Sequence, residues 1–160
     1  MSTSMSAPAV VRDRTDELWW YGGRISIKLT GAQTGGRLGM WVWDGSAGAA
    51  SPAHVHHREE EYFFVVEGEA RLLVGDERID ARAGDLVVLP RDVPHAYLIT
   101  SPTARLIGMA CPGGFESFFS ELATPVVDGE PPAAPPDVSD MVRAAAARGI
   151  DLVGPPPQLD

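Results

Sequence analysis

The chain has 160 residues, of which 44% are hydrophobic and 22% charged, a balance typical of one soluble globular domain with its own core. The net charge of −9 argues against nucleic acid as a partner, because such binding needs clustered Lys and Arg to replace counterions. The sequence has no apolar run near the roughly 18 residues of a membrane span, no signal-peptide pattern, and a single Cys111 that excludes an internal disulfide, so we expect a cytoplasmic protein.

The first part of the chain predicts an arm followed by a β-barrel. Residues 1–17 are small, polar and charged, and predict a flexible N-terminal arm. Residues 18–123 are predicted to form a barrel with a short helix. Within them, alternating apolar side chains over residues 24–110 predict about nine short strands separated by turns, including a two-residue hairpin turn at Gly75 and Asp76. No crossover helix fits between these strands, which excludes a parallel sheet and predicts an all-β antiparallel sandwich or small barrel.

The chain changes character after Cys111. Apolar residues at helical spacing predict a short amphipathic helix in "GFESFFSEL". Residues 124–160 predict a Pro-rich linker, a C-terminal helix and an extended tail, with Asp137 or Ser139 as the N-cap and Gly149 at the end of the helix. The apolar face of this helix must be buried against the barrel wall or against a partner subunit.

Three histidines in the stretch "HVHHREEE" indicate a metal site. If His54 to His57 form a strand, successive side chains alternate between its faces, so His54 and His56 point the same way and can share an ion. His57 then points away and is predicted to be a surface residue. His95 lies directly after Pro94 and opens a strand, and it is the candidate for a third imidazole ligand.

The position of each glutamate relative to the predicted turn decides whether it can face the histidines. Glu61 begins the returning strand and can face the same cavity as the histidines, with Glu60 as the alternative ligand. Glu59 and Glu60 fall in the turn, where we expect them to be solvated. Three imidazoles and one carboxylate suit one divalent first-row ion, Fe, Mn, Ni, Cu or Zn, and leave room for water, O₂ or substrate.

The stretch also resembles the first sequence motif of the cupins, a superfamily of small antiparallel β-barrels of the jelly-roll type. Every defined residue and spacing of that motif is matched, by Gly48, His54, His56, Glu61 and Gly68. The spacing to Gly68 favours Glu61 over Glu60 as the ligand. The resemblance implies a cupin barrel and a metal ion bound by His54, His56, Glu61 and His95.

The second cupin motif is matched in part. Gly84, Pro90 and His95 stand at its defined positions, whereas Asp92 replaces a glycine and Ile99 replaces an asparagine. Aspartate tolerates the left-handed backbone region better than most residues, so a turn at Asp92 is still expected. The substitution at Ile99 involves no ligand, although it affects the strand near the expected substrate site.

A narrower similarity indicates the reaction. The segments "HVHHREEEYFFVVEGE", "GFESFF" and "ARGIDLVGPPP" resemble bacterial single-domain cupins described as quercetin 2,3-dioxygenase-like. This implies a dioxygenase of secondary metabolism that consumes O₂ and acts on a metal-bound phenolic or enolic substrate, flavonol- or polyketide-like, with Glu61 as the catalytic base. The alternatives are a metal-dependent polyketide cyclase or isomerase that uses no O₂, and a non-catalytic cupin that binds a small molecule.

The inward faces of the strands are expected to form the substrate pocket. Its candidate residues are Met40, Trp41, Trp43, Phe63, Phe64 and Tyr97, although core packing alone also explains aromatic residues at such positions. Trp19, Trp20 and Tyr21 either line the entrance of the barrel or form a dimer contact. Cupins of this size commonly dimerise, so the resemblance implies a homodimer.

Overall fold

The computed structural model describes residues 10–11, 17–127, 129 and 136–160, so most of the predicted N-terminal arm and of the Pro-rich linker lies outside the described residues. The strands in this part are β1 (Leu18–Trp20), β2 (Gly23–Leu29), β3 (Gly39–Ser46), β4 (Ala53–His56), β5 (Glu60–Glu67), β6 (Glu69–Val74), β7 (Glu77–Arg82), β8 (Leu86–Leu89), β9 (His95–Ile99), β10 (Thr103–Cys111), β11 (Thr124–Pro125) and β12 (Ile150–Gly154). The helices are α1 (Gly31–Thr34), α2 (Ser117–Leu122) and α3 (Val138–Ala146). None of the helices in these ranges is long and apolar enough to cross a lipid bilayer.

The strands form two antiparallel sheets that face each other across one core. The large sheet has the order β11-β1-β2-β3-β10-β5-β8, and the small sheet has the order β12-β4-β9-β6-β7. Val74 pairs with Glu77, which confirms the two-residue hairpin. The predicted all-β jelly-roll with a short helix after the barrel and a C-terminal helix is therefore confirmed.

The core depends on the alternation of side chains along the strands. Trp41 and Trp43 point inward from β3 and are each 1% exposed, whereas Met40 points to the outer face. The Trp41 ring lies against Gly108 on the neighbouring β10, and the Trp43 ring lies against Gly45. A Cβ atom at either glycine would overlap the indole, so these glycines provide the space that the two large rings need.

The C-terminal part of the chain packs on the barrel. Met141 and Ile150 are 2% and 3% exposed within the chain, whereas Val142 is 48% exposed. The helix α3 contacts α2 and β12. Residues 150–154, predicted as part of an extended tail, instead form β12, in which Ile150 pairs with His56 and Leu152 with His54 on β4. The last strand therefore covers the edge of the strand that carries two candidate ligands.

Asp137 caps the N-terminus of α3, and its removal has a pH-dependent effect on stability. Its Oδ1 accepts hydrogen bonds from the Ser139 side chain and from the backbone N–H groups of Ser139 and Asp140, which hold the pKa of Asp137 below its ordinary value. We expect Asp137→Ala to lower the melting temperature by about 2–4 °C near neutral pH. Thermal unfolding followed by circular dichroism measures this change.

The sign of the pH dependence follows from the lowered pKa. The charged cap stabilises the fold fully above the unfolded pKa of about 3.9, and this stabilisation is lost as pH falls through the folded value. The gap in melting temperature between wild type and Asp137→Ala should therefore narrow below about pH 4. Asp140→Ala is the control, because it removes a nearby carboxylate and keeps the cap. A gap of equal size at all pH values would contradict this prediction.

Candidate metal centre

Two strands of the small sheet and one strand of the large sheet bring four potential metal ligands together between the two sheets. β4 positions His54 and His56, β5 positions Glu61, and β9 begins at His95, which pairs in register with His54. One ligand atom from each side chain lies within 4.8 Å of all the others. His56, Glu61 and His95 are 0%, 2% and 3% exposed. The four residues that the sequence patterns single out thus form one buried cluster.

Backbone carbonyl groups fix the tautomer of two of the imidazoles. His54 Nδ1 donates to the carbonyl oxygen of Pro52 at 2.7 Å, and His95 Nδ1 donates to that of Val93 at 3.0 Å. Because a carbonyl oxygen can only accept, each Nδ1 carries a hydrogen atom. In the neutral ring the lone pair is then on Nε2, the nitrogen that faces the centre of the cluster.

The centre of the cluster fits a cation. The Oε2 atom of Glu61 lies 3.0 Å from Nε2 of His95, 3.7 Å from Nε2 of His56 and 4.0 Å from Nε2 of His54. The Nε2 atom of His56 is buried and has no hydrogen-bond partner among the described residues. A buried polar atom without a partner is costly, and a metal ion would provide one. Three imidazole nitrogens and one carboxylate oxygen suit a first-row divalent ion.

The protonation states of the cluster also favour a metal ion. Burial is the main cause that lowers the pKa of His54 to about 3, and the neighbouring His95 and His56 contribute in the same direction. Burial alone would raise the pKa of Glu61, but the close contact with Nε2 of His95 and the electrostatic influence of the three imidazoles hold it below its ordinary value. Near neutral pH the site therefore offers a neutral His54 and an ionised Glu61, which are the forms that bind metal.

Glu59 does not lie in solvent, and the prediction that it does is wrong. Its side chain is 6% exposed, and its Oε2 accepts a hydrogen bond from His56 Nδ1 at 3.1 Å. Glu59 lies between β4 and β5, and its carboxylate reaches back to His56, three residues earlier in the chain. Glu60 faces outward and lies 3.4 Å from Arg91.

His57 points away from the cluster, as the alternation along β4 predicts. Its side chain is 44% exposed, with Nδ1 at 2.6 Å from Asp92 and Nε2 at 3.0 Å from Asp151. Asp92 has the expected left-handed backbone, with φ of 64°, and its N–H donates to the carbonyl oxygen of His56 at 2.8 Å. His57 therefore joins β12 to the turn before His95 and is not a candidate ligand.

An apolar cavity adjoins the cluster, and His54 and Glu61 form part of its wall. Four of the six predicted pocket residues line this cavity: Trp41, Trp43, Phe63 and Tyr97. Met40 and Phe64 do not line it, because alternation along β3 and β5 turns them to the outer face of the large sheet. The sequence leaves the choice between Phe63 and Phe64 open, since both adjacent positions are aromatic.

Other residues of the cavity wall come from outside the predicted barrel strands. Trp20 lines the cavity, together with Phe115, Phe118 and Phe119 around α2, Met141 of α3 and Leu152 of β12. The helical spacing of the phenylalanines indicates an apolar face, but it does not show which surface that face covers. Tyr21 donates a hydrogen bond to the sulfur atom of Met141 at 3.3 Å, which fixes α3 over this end of the cavity.

Comparison with known proteins shows that the part of the chain that carries the cluster is similar to a known family of domains. Residues 41–107, which include all four clustered residues, match the family model described as Cupin domain. The chain is 29% identical over 148 residues to quercetin 2,3-dioxygenase from Bacillus subtilis (strain 168), a match that covers 91% of this chain and 44% of that protein. It is 34% identical over 80 residues to quercetin 2,3-dioxygenase from Aspergillus japonicus, covering 47% of this chain and 23% of that protein. The chain thus spans less than half the length of these relatives.

Solved structures show the same fold. An RmlC-like cupin from Shewanella frigidimarina superposes with a TM-score of 0.59 at 21% identity, covering 73% of this chain and 99% of that one. KdgF from Halomonas sp. superposes with a TM-score of 0.54 at 21% identity, covering 60% of this chain and 85% of that one. At this level of identity the likeness concerns the architecture of the barrel and not the reaction.

Proposed function

We propose that this chain, which belongs to the cupin superfamily, is a metal-dependent dioxygenase that acts on a small phenolic or enolic molecule. The observation that carries the proposal is a buried cluster of three imidazoles and one carboxylate in the wall of an aromatic cavity. Two relatives named quercetin 2,3-dioxygenase support the choice of reaction and of a flavonol-like substrate.

The cluster residues would hold one divalent ion. His54, His56, His95 and Glu61 supply the donor atoms, and a redox-active ion bound there would supply Lewis acidity and electron transfer toward O₂. Glu61 has a lowered pKa and is therefore an ionised base beside the cavity. It can accept the hydroxyl proton of a phenol or enol that enters, which gives the oxyanion form of the substrate.

The cavity wall selects a flat, largely apolar substrate. Trp41, Trp43 and Phe63 present aromatic surfaces that exclude water and pack against a substrate ring. Burial, together with the charge of Glu61, raises the pKa of Tyr97 far above its ordinary value. The Tyr97 hydroxyl therefore keeps its proton, and it can donate a hydrogen bond to a substrate oxygen.

The donor set also supports a second candidate function. Three imidazoles and a carboxylate bind Zn²⁺ as well as redox-active ions, and Zn²⁺ has no redox chemistry. With such an ion the same cavity suits a cyclase or isomerase that polarises a carbonyl group and consumes no O₂. The two functions therefore differ in the metal ion and in the need for O₂.

Elemental analysis combined with an oxygen-uptake assay tests the proposal. Protein purified without a histidine tag should contain about one first-row metal ion per chain. After loading with Fe, Mn, Ni, Cu or Zn in turn, at least one redox-active form should consume O₂ in proportion to a flavonol such as quercetin, and the Zn form should not. Turnover of an enolic substrate under anaerobic conditions would favour the cyclase or isomerase. Failure to bind any of these ions would contradict the proposed metal centre.

A further inference from the structure

We infer that Glu59 is a positioning residue of this centre, which fixes the orientation and tautomer of His56 and adds a second negative charge behind it. The inference rests on the proposed metal centre. The Nδ1 atom of His56 forms its hydrogen bond with a side chain, that of Glu59, whereas those of His54 and His95 bind backbone carbonyl groups. The ligand geometry of His56 is therefore set by a side chain that can be replaced.

The burial of Glu59 supports a role beyond packing. Glu59 is 6% exposed, His56 is 0% exposed, and no Lys or Arg forms an ion pair with Glu59 among the described residues. A buried carboxylate is costly unless a positive charge or several hydrogen bonds compensate it. The hydrogen bond to His56 is a single contact, whereas a cation on the opposite side of the imidazole would compensate the carboxylate through the ring.

The charge of the site leads to the same conclusion. A divalent ion bound by three neutral imidazoles and Glu61 keeps one positive charge in a buried place, and Glu59 balances it. A carboxylate that accepts from the far nitrogen of a histidine ligand also makes that ligand more basic and holds its lone pair toward the metal. Without this acceptor, the hydrogen atom of His56 can move to Nε2, where it would block coordination.

Two variants separate the orienting effect from the charge. Glu59→Met keeps a side chain of similar length but removes the acceptor, and Glu59→Gln keeps an acceptor but removes the charge. Glu60→Gln is the matched control, since Glu60 is the next residue and faces outward toward Arg91. The readouts are the dissociation constant of Zn²⁺ in competition with a chelator, and the ¹⁵N chemical shifts of the His56 ring in the metal-free protein.

We expect Glu59→Met to bind Zn²⁺ about 10–100-fold more weakly than wild type, and Glu60→Gln to stay within about twofold. The His56 signals should show a hydrogen on Nδ1 in the wild type and in Glu59→Gln, and a shift of that hydrogen toward Nε2 in Glu59→Met. Unchanged Zn²⁺ affinity in Glu59→Met would overturn the inference, even if the variant melted at a lower temperature. If wild type bound none of Fe, Mn, Ni, Cu or Zn, the proposed metal centre would fail, whereas the ¹⁵N result would still show whether Glu59 orients His56.

Discussion

Substitution of His56 by alanine is expected to abolish stoichiometric metal binding. The side chain is 0% exposed, and its Nε2 atom is a buried nitrogen without a hydrogen-bond partner among the described residues. Loss of an outer partner of a ligand already weakens metal binding by about 10–100-fold, so loss of the ligand itself should cost more than about 100-fold. Metal content after dialysis, and the Zn²⁺ dissociation constant measured by chelator competition, give the size of the effect.

The adjacent histidine provides the control for this experiment. His57→Ala removes the same chemical group one residue later, on the opposite face of the strand, where it contacts Asp92 and Asp151 at the surface. We expect this variant to keep one equivalent of metal and at least most of its affinity. Circular dichroism of both variants shows whether the barrel is intact. Equal metal loss in the two variants would mean that the cluster is not the binding site.

A second large effect is expected at Glu116, a buried carboxylate in the "GFESFF" segment. The side chain is 3% exposed, and its two oxygens accept hydrogen bonds from the backbone N–H groups of Gly31 at 2.6 Å and Gly114 at 2.9 Å. Gly31 is the first residue of α1, so its N–H has no acceptor within that helix. Gly39 leaves room for the carboxylate, because a Cβ atom there would overlap it. Glu116 therefore joins the segment before α2 to α1 and β3.

Glu116→Ala should reduce the free energy of unfolding by about 2–5 kcal/mol, because it leaves the buried N–H of Gly31 and the partly buried N–H of Gly114 without an acceptor. Glu116→Gln should lose less, since its amide oxygen can still accept one of the two hydrogen bonds. Urea unfolding followed by tryptophan fluorescence and circular dichroism measures both changes.

Glu121→Gln, in the following turn of α2, is the matched control. Glu121 is exposed and pairs with Arg148 at 2.8 Å, and such surface pairs contribute at most about 1 kcal/mol. If Glu116→Ala and Glu121→Gln lost the same small amount of stability, the buried carboxylate would not hold these segments together.

The sequence predicted those parts of the fold and site that depend on local alternation. The strands β2 to β10 follow from apolar periodicity, and the clustered residues follow from the spacing of His54, His56 and Glu61, with His95 added after a proline turn. Alternation does not show which side chain points inward where two neighbouring side chains are equally apolar. Phe63 and Phe64 are such a pair, and only the burial along β5 shows that Phe63 points inward.

Features that depend on distant partners were not predictable in this way. Glu59 lies in the connection between β4 and β5, and nothing in the sequence marks the hydrogen bond to His56 that buries it. Ile150–Gly154 is a short apolar segment between a helix and a run of prolines, and its strand forms only because β4 offers an edge. Glu116 gives no signal of burial, since its partners are backbone N–H groups, one of them from Gly31 in a distant segment.

The pairing of β12 with β4 has a consequence for how the protein folds. The partners Leu152 and His54 are about a hundred residues apart in sequence, so a large loop must close before they meet. Until then, the strand that carries His54 and His56 has an unpaired edge, which is a template for association with other chains. Both edges of β4 are therefore paired only after a slow, long-range folding step. Chains that have not completed this step are prone to aggregate.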